Sequence, residues 1–296
     1  MSKHLQGKIA VVAGASRGAG RGIAVALGEA GATVYVLGRT TRQSPKPADG
    51  AAGTIDDTAD EVTRRGGRGI PIRTDCTKEA EVAAAFDRVR QEQGRLDVLA
   101  NAVWGAADSV LTMEDALAAW SKPFWEQPTS QWRTMMTAGP YAYYLMSWHA
   151  LQLMAKQGKG LIVGVTDGYF ENATATAESP GGQLIWTLAH TCINQLHQGM
   201  SQEAKPHDIA VVTLMPGFMQ TERVLMHVTT AEQKKMFRFD LSESPEYLGR
   251  AVAALAADAK VLAKTGKVHF VADLANEYGF TDIDGRQVPR FNPFER

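Results

Sequence analysis

Cysteine is scarce in this chain. Cys76 and Cys192 are the two present, with no CxxC or ligand-like spacing, which argues against a disulfide framework and a structural zinc site. Surplus charge is also missing. Lys and Arg number 31 against 32 Asp and Glu, so neither nucleic acid nor an anionic membrane is an expected partner. No apolar window of about 18 residues occurs, so no membrane-spanning helix is expected. The opening MSKHLQGKIAVV has no long apolar run leading to a cleavage site, and a reducing, cytoplasmic setting is expected. Internal repeats and composition shifts are absent as well.

What remains is an ordinary globular composition. The 296 residues are 45% hydrophobic and 21% charged, enough to bury one large core. Apolar runs at 8–14, 32–38, 68–74, 96–102, 160–166, 209–215 and 267–272 are rich in Val, Ile and Leu. They lack polar alternation, as strands buried on both faces do. Amphipathic stretches near 19–30, 55–66, 78–94, 130–157, 181–204 and 246–259 separate them. The alternation predicts an α/β fold: one Rossmann-type, doubly wound parallel sheet of about seven strands with helices on both faces. A single domain over 1–296 is expected, with insertions near 40–53 and 103–130. The first is Pro/Gly/Ala-rich and reads as a loop. The second carries Trp104, Trp120 and Trp125. It reads either as a surface excursion packed by its own aromatics or as a wall of a substrate pocket.

The stretch VVAGASRGAGRGIA follows the first strand and opens a helix. Gly14, Gly18 and Gly20, with Ser16 and Arg17 between them, form a loop whose backbone can approach a pyrophosphate closely. Free N–H groups at the helix start then face the negative charge. After the second strand comes LGRT. An acid there would bind ribose hydroxyls and favour NAD; Arg39 suits a 2′-phosphate instead. With Arg17 as a second nearby cation, NADP(H) is expected over NAD(H).

These motifs, in this order, resemble the short-chain dehydrogenase/reductase family along essentially the whole chain. TDCT places Asp75 where that family contacts adenine. DVLANA is similar to the family's DVLVNNAG, with Asn101 at the first Asn, although Ala102, Val103 and Trp104 depart from it. MPGFMQTE (215–222) is similar to the family's Pro-Gly…Thr segment, with Pro216 and Gly217 in the turn and Thr221 at the carboxamide-binding position. FWEQPTSQW (124–132) and LANEYGFTDIDGRQV (274–288) are similar to one branch known from animals. The resemblance implies a mobile lid over the substrate near 218–245. It also implies a homodimer or homotetramer paired through the helices at 130–157 and 181–204. The Met and Phe content of 218–239 suits either an adaptable apolar surface or an ordinary helix core, and the expected substrate is a small apolar molecule. The tail 279–296 reads as cover for a neighbouring subunit or for a pocket mouth.

The family's catalytic residues are Asn, Ser, Tyr and Lys, and here all four are replaced. The fifth strand ends VTDG, which puts Asp167 at the Ser position. Tyr-x-x-x-Lys aligns on Trp186 and His190, and the Asn position falls near Gly139. No Tyr is followed four residues later by Lys, and residues 160–204 contain no Lys or Arg. A shift of alignment therefore does not restore the motif. A reduced carbonyl needs a positioned acid near neutral pKa, which a phenol becomes only beside a cation. His190 is the first candidate replacement because imidazole titrates near neutrality. Asp167, as acid–base group or cation binder, and Tyr169, as a phenol or a pocket wall, are the others. Each has a structural alternative: a buried helix histidine, a helix cap, a wall. Trp186 reads as an apolar wall, since indole is a donor only. His190, Cys192 and His197 do not share a helix face, so no metal is expected. Three readings stay open: an NADP(H)-dependent oxidoreductase with a rebuilt site, a catalytically inactive nucleotide-binding protein, and a non-redox acid–base enzyme (dehydratase, isomerase or cyclase).

Overall fold

The computed structural model describes residues 3–45, 50–105, 122–167 and 184–290. Seven strands form one sheet: β1 (Ile9–Ala13), β2 (Thr33–Gly38), β3 (Arg68–Arg73), β4 (Val98–Asn101), β5 (Gly160–Val165), β6 (Ile209–Met215) and β7 (Val268–Phe270). Their order is β3-β2-β1-β4-β5-β6-β7, and every pair is parallel. This is the expected doubly wound sheet of the Rossmann type, with its order reversing between β1 and β4. β1 is buried along its whole length, whereas edge strand β3 is mostly accessible. That is why Pro71 is tolerated in it: an edge strand does not need every N–H.

The helices form where caps and amphipathic patterns direct them. α1 (Gly18–Glu29) opens at the glycine loop. α2 (Ile55–Arg64) starts at Thr54, whose hydroxyl accepts from the Asp57 N–H, and carries Asp56 and Asp57 in its first turn. α3 (Glu79–Gln93) stops at Gly94 in the left-handed conformation. The stretch expected as one helix over 130–157 is two, α4 (Ser130–Met136) and α5 (Ala142–Gln157), joined by a π-type turn over Thr137–Tyr141. Ala138 and Gly139 leave helical geometry there; Pro140 disfavours the α conformation in Gly139, the residue before it. α6 (Leu184–Ala204) is continuous.

Past β6 come two short helices, α7 (Glu222–His227) and α8 (Ala231–Met236), in the region expected to be a lid. α9 (Pro245–Ala257) follows, N-capped by Ser244. The last apolar run is a strand only over Val268–Phe270; α10 (Val271–Tyr278) continues from it. Two buried clusters fill the two faces of the sheet, one built on α1, α2 and α9, the other on α3 and α5.

The described part of the tail packs on its own subunit. Asp282 accepts from the Ser244 N–H at 2.8 Å, Arg250 donates to the Thr281 and Asp282 carbonyls, and Arg286 donates to the Asp240 and Ser242 carbonyls. The segment between α8 and α9 is thereby tied to the tail. No described helix is long and apolar enough to cross a membrane.

Candidate functional site

The glycine loop joins the end of β1 to α1, at the carboxyl end of the sheet. Gly14 has φ +74, and a Cβ there would stand 2.7 Å from the Ala102 carbonyl. Gly18 has φ +55, where a side chain is strained. A Cβ at Gly20 would meet the Gly14 carbonyl at 2.3 Å. Ser16 lies between Gly38 and Gly53, its carbonyl 2.4 Å from the position of a Gly53 Cβ. The loop is therefore closed on itself; its Ala15 N–H donates to the Leu37 carbonyl of β2 at 2.9 Å.

Another N–H of the loop holds an anion. The Gly18 N–H donates to Glu222 Oε2 at 2.7 Å, and Arg21 Nε lies 3.9 Å from the other carboxylate oxygen. Glu222 is the first residue of α7 and follows Thr221, whose hydroxyl caps that helix by accepting from the Val224 N–H. A carboxylate from α7 thus sits at a helix N-terminus that attracts negative charge. It stands in for an anion, and the start of α1 fits a phosphate group.

At the end of β2, Arg17 reaches loosely toward Thr40 Oγ1 and the Gly53 carbonyl, both at 3.4 Å. Arg39 is exposed beside it. Asp75 holds the next loop through the Thr77 N–H and hydroxyl. Burial pushes its carboxyl up, but those bonds and the charges of Arg39 and Lys78 together bring it below the usual range. Asn101 is buried at the end of β4 and donates to Ser147 Oγ at 3.2 Å. Gly217, after Pro216, donates its N–H to Glu243 Oε2 at 2.9 Å. Burial raises the Glu243 carboxyl to about 8, with Asp282 adding to the rise and the Gly217 bond opposing it. The Pro216–Gly217 turn thus rests on a buried acid.

Near the end of β5, three aromatic rings meet. Trp104, Trp186 and His190 lie with centroids 4.3 Å (Trp104–His190), 4.9 Å (Trp104–Trp186) and 5.2 Å (Trp186–His190) apart. Trp186 and His190 are one turn apart on α6 and share its face, as their spacing requires. Trp104 arrives from the loop after β4. It has room because position 139 is glycine: a Cβ there would stand 3.1 Å from Trp104 Cζ3.

Asp167 completes the cluster from the end of β5. The Trp186 indole N–H donates to Asp167 Oδ2. The Asp167 backbone N–H donates to His190 Nδ1 at 3.3 Å, and Asp167 Oδ1 lies 3.5 Å from the same nitrogen. Thr166 Oγ1 is 3.3 Å away as well. Burial lowers the His190 pKa to about 3, so the ring is neutral. Since Nδ1 accepts from a backbone N–H, the ring proton belongs on Nε2.

The structure brings Asp167, Trp186 and His190 together; Tyr169 lies outside the described residues, as does Trp120. Trp104, which the sequence marked as a departure from an expected motif, joins them. Two contributors had no signal in the sequence. Glu222 follows Thr221 directly, but its contact with Gly18 depends on how the segment after β6 folds back. Glu243 is far from any motif. Among the described residues no group of three or more His, Cys, Asp or Glu could hold a metal.

A family profile described as short chain dehydrogenase matches residues 8–232. The protein named "Dehydrogenase/reductase SDR family member 1" of Mus musculus is 36% identical, across 97% of this chain and 87% of the relative. The protein of that name from Homo sapiens is 34% identical over the same shares. The solved structure of a short-chain type dehydrogenase/reductase from Mycobacterium marinum superposes with a TM-score of 0.69 at 25% identity, covering 90% of this chain and 94% of that one.

Proposed function

The chain belongs to the short-chain dehydrogenase family, and on that footing we propose that it is an NADP(H)-dependent oxidoreductase with its proton chemistry moved to Asp167 and His190. Its substrate class is a small apolar carbonyl, alcohol or enone. The observation that carries this reading is the Asp167–His190 Nδ1 approach at 3.5 Å, at the end of the central strand where such folds bind ligands.

The nicotinamide cofactor, when bound, supplies or accepts the hydride. Gly14, Ser16, Gly18 and Gly20 receive its pyrophosphate, after Glu222 has moved aside. Arg17 and Arg39 flank the ribose 2′-phosphate. Asp75 and Asn101 line the adenine and nicotinamide ends. Pro216, Gly217 and Thr221 shape the carboxamide side, with Glu243 setting the turn. Trp104 and Trp186 form an apolar wall that excludes water from the reacting carbon.

In alcohol oxidation, Asp167 takes the hydroxyl proton and passes it to His190 Nδ1 once the Asp167 backbone N–H has released that nitrogen; the proton on Nε2 leaves to water, and the ring returns to its Nε2–H form before the next turnover. Carbonyl reduction runs the same steps backwards. A neutral imidazole suits this task, because it accepts at one nitrogen as it releases from the other. The exposed aromatic faces of Tyr141, Tyr144 and Trp148 near the start of α5 support self-association as a homodimer or homotetramer. Free Cys76 and Cys192 suit a reducing cytoplasm.

A second reading is a nucleotide-binding protein without turnover. The Trp186 indole favours it, since it fills the usual phenol position and engages Asp167. Monitoring NADPH oxidation over a panel of apolar ketones, aldehydes and enones separates the two. Turnover that falls in Asp167→Asn and in His190→Phe supports the first. Stoichiometric NADPH binding with no turnover on any substrate supports the second.

A further inference from the structure

The inner face of a packed helix is ordinarily apolar. α6 departs from this. Of its buried residues, Ala189, Ile193 and Ala204 are apolar, while His190, Asn194, His197 and Ser201 are polar. The polar ones follow a four-three-four spacing, so they form one stripe along the helix. They are 6%, 8%, 1% and 5% exposed, respectively.

The stripe is poorly satisfied by protein. His190 Nε2, both amide atoms of Asn194 and His197 Nε2 are buried without a hydrogen-bond partner. His197 Nδ1 meets Thr213 Oγ1 at 3.0 Å, and its ring lies so close to β5 that a Cβ on Gly164 would overlap it. Burial lowers the His197 pKa to about 4, so this ring too is neutral. Ser201 donates to the Gln198 carbonyl at 2.7 Å, and its Oγ stands 2.6 Å from the position of a Gly266 Cβ. Gly266 is partly accessible.

Buried polar atoms left dry destabilise a fold, and native interiors satisfy them with ordered water. Four such atoms in helical register need more than one molecule. We propose that a file of ordered water runs beneath α6 from His190 Nε2 past Asn194 to His197, opens near Gly266, and exchanges the His190 proton with solvent. Its part in turnover rests on the oxidoreductase reading above; its existence does not. The file supplies what the Asp167–His190 step requires, a sink and source of protons on the Nε2 side. It does so away from the substrate face, so the aromatic wall can stay closed during hydride transfer.

The test uses the full chain labelled with nitrogen-15 histidine. A crystal structure that shows ordered water is expected to place molecules on His190 Nε2, Asn194 and His197 Nε2. Nuclear magnetic resonance is expected to show the His190 proton on Nε2, exchanging with water at least ten times faster than in Asn194→Leu. Asn194→Ala, which leaves space for water, is expected to keep the fast exchange. Because the file is hydrated, Asn194→Leu is also expected to lower the melting temperature. A dry stripe in the crystal, an unchanged exchange rate in Asn194→Leu, or a raised melting temperature in that variant each overturns the proposal. None of these readouts needs a substrate. Absence of turnover on every carbonyl, with water and fast exchange present, would instead sink the oxidoreductase reading alone.

Discussion

The Glu222 carboxylate accepts the Gly18 N–H at 2.7 Å, so α7 places its own anion at the start of α1. On the proposed function a nucleotide displaces that charge. Removing it in Glu222→Gln or Glu222→Ala is expected to tighten NADP(H) binding roughly threefold to tenfold, the scale of a charge at a helix N-terminus. Fluorescence titration measures this directly. Weaker binding in both variants would mean that Glu222 assists the nucleotide rather than competing with it.

Arg39 and Arg17 offer the cations expected for a 2′-phosphate. Arg39→Ala is expected to weaken NADP(H) by about 10- to 100-fold, as the loss of a charge-assisted bond does, while NAD(H) affinity stays nearly level. Parallel calorimetric titrations of both nucleotides give the ratio. Equal losses for the two would place Arg39 elsewhere than at the phosphate.

Proton transfer through Asp167 and His190 makes its own demand. Asp167→Asn keeps the shape and removes the acid–base group, and is expected to lower kcat by about 10²- to 10⁴-fold with nucleotide affinity unchanged. Steady-state kinetics beside a binding titration checks the split. If affinity drops along with kcat, Asp167 is holding the site together instead.

His190 and His197 give the fold an acid-sensitive side. Their folded pKa values, about 3 and about 4, lie below the unfolded value of about 6.5. The unfolded chain therefore takes up protons first. Their stabilising effect is complete above about pH 6.5 and declines as pH falls toward the folded values, at up to about 1.4 kcal/mol per pH unit for each ring. Urea unfolding from pH 7 to pH 4.5 is expected to show this slope. A flat profile would require both rings to be hydrated enough to protonate in place.

Glu243 acts in the opposite direction. Burial raises its carboxyl to about 8 from the model-peptide range, so the folded protein keeps a proton that the unfolded chain releases. Stability is expected to fall as pH rises from about 4.5 to 8, by about 1.4 kcal/mol per unit at most. Glu243→Gln should be neutral near pH 4.5 and increasingly stabilising toward pH 8, provided the amide oxygen keeps the Gly217 N–H. Thermal unfolding across that range tests it; a stabilisation independent of pH would point to packing rather than ionisation.

How much of this could be read in advance follows from the range over which each feature is decided. The strands were legible because β1 and β5 are apolar on both faces, and the cofactor loop because its glycines are adjacent in sequence. The i, i+4 spacing alone put Trp186 beside His190. The break at Thr137–Tyr141 also had a local signal in Pro140, but the amphipathic pattern on both sides outweighed it. α10 was hidden because β7 is only three residues long and its apolar run continues straight into the helix. Trp104 against His190, Glu222 against Gly18 and Glu243 against Gly217 are meetings of distant segments. No local pattern encodes them, since each depends on where a loop returns after the sheet has formed.

Gly139 and Trp104 divide one small space between them. With 3.1 Å between a hypothetical Cβ and the indole, a larger side chain at 139 and the ring opposite are rival tenants of one volume. Exchanging residues 186 and 190 alone would leave the indole in residence. An enlarged residue 139 therefore calls for a shift or a smaller side chain at 104.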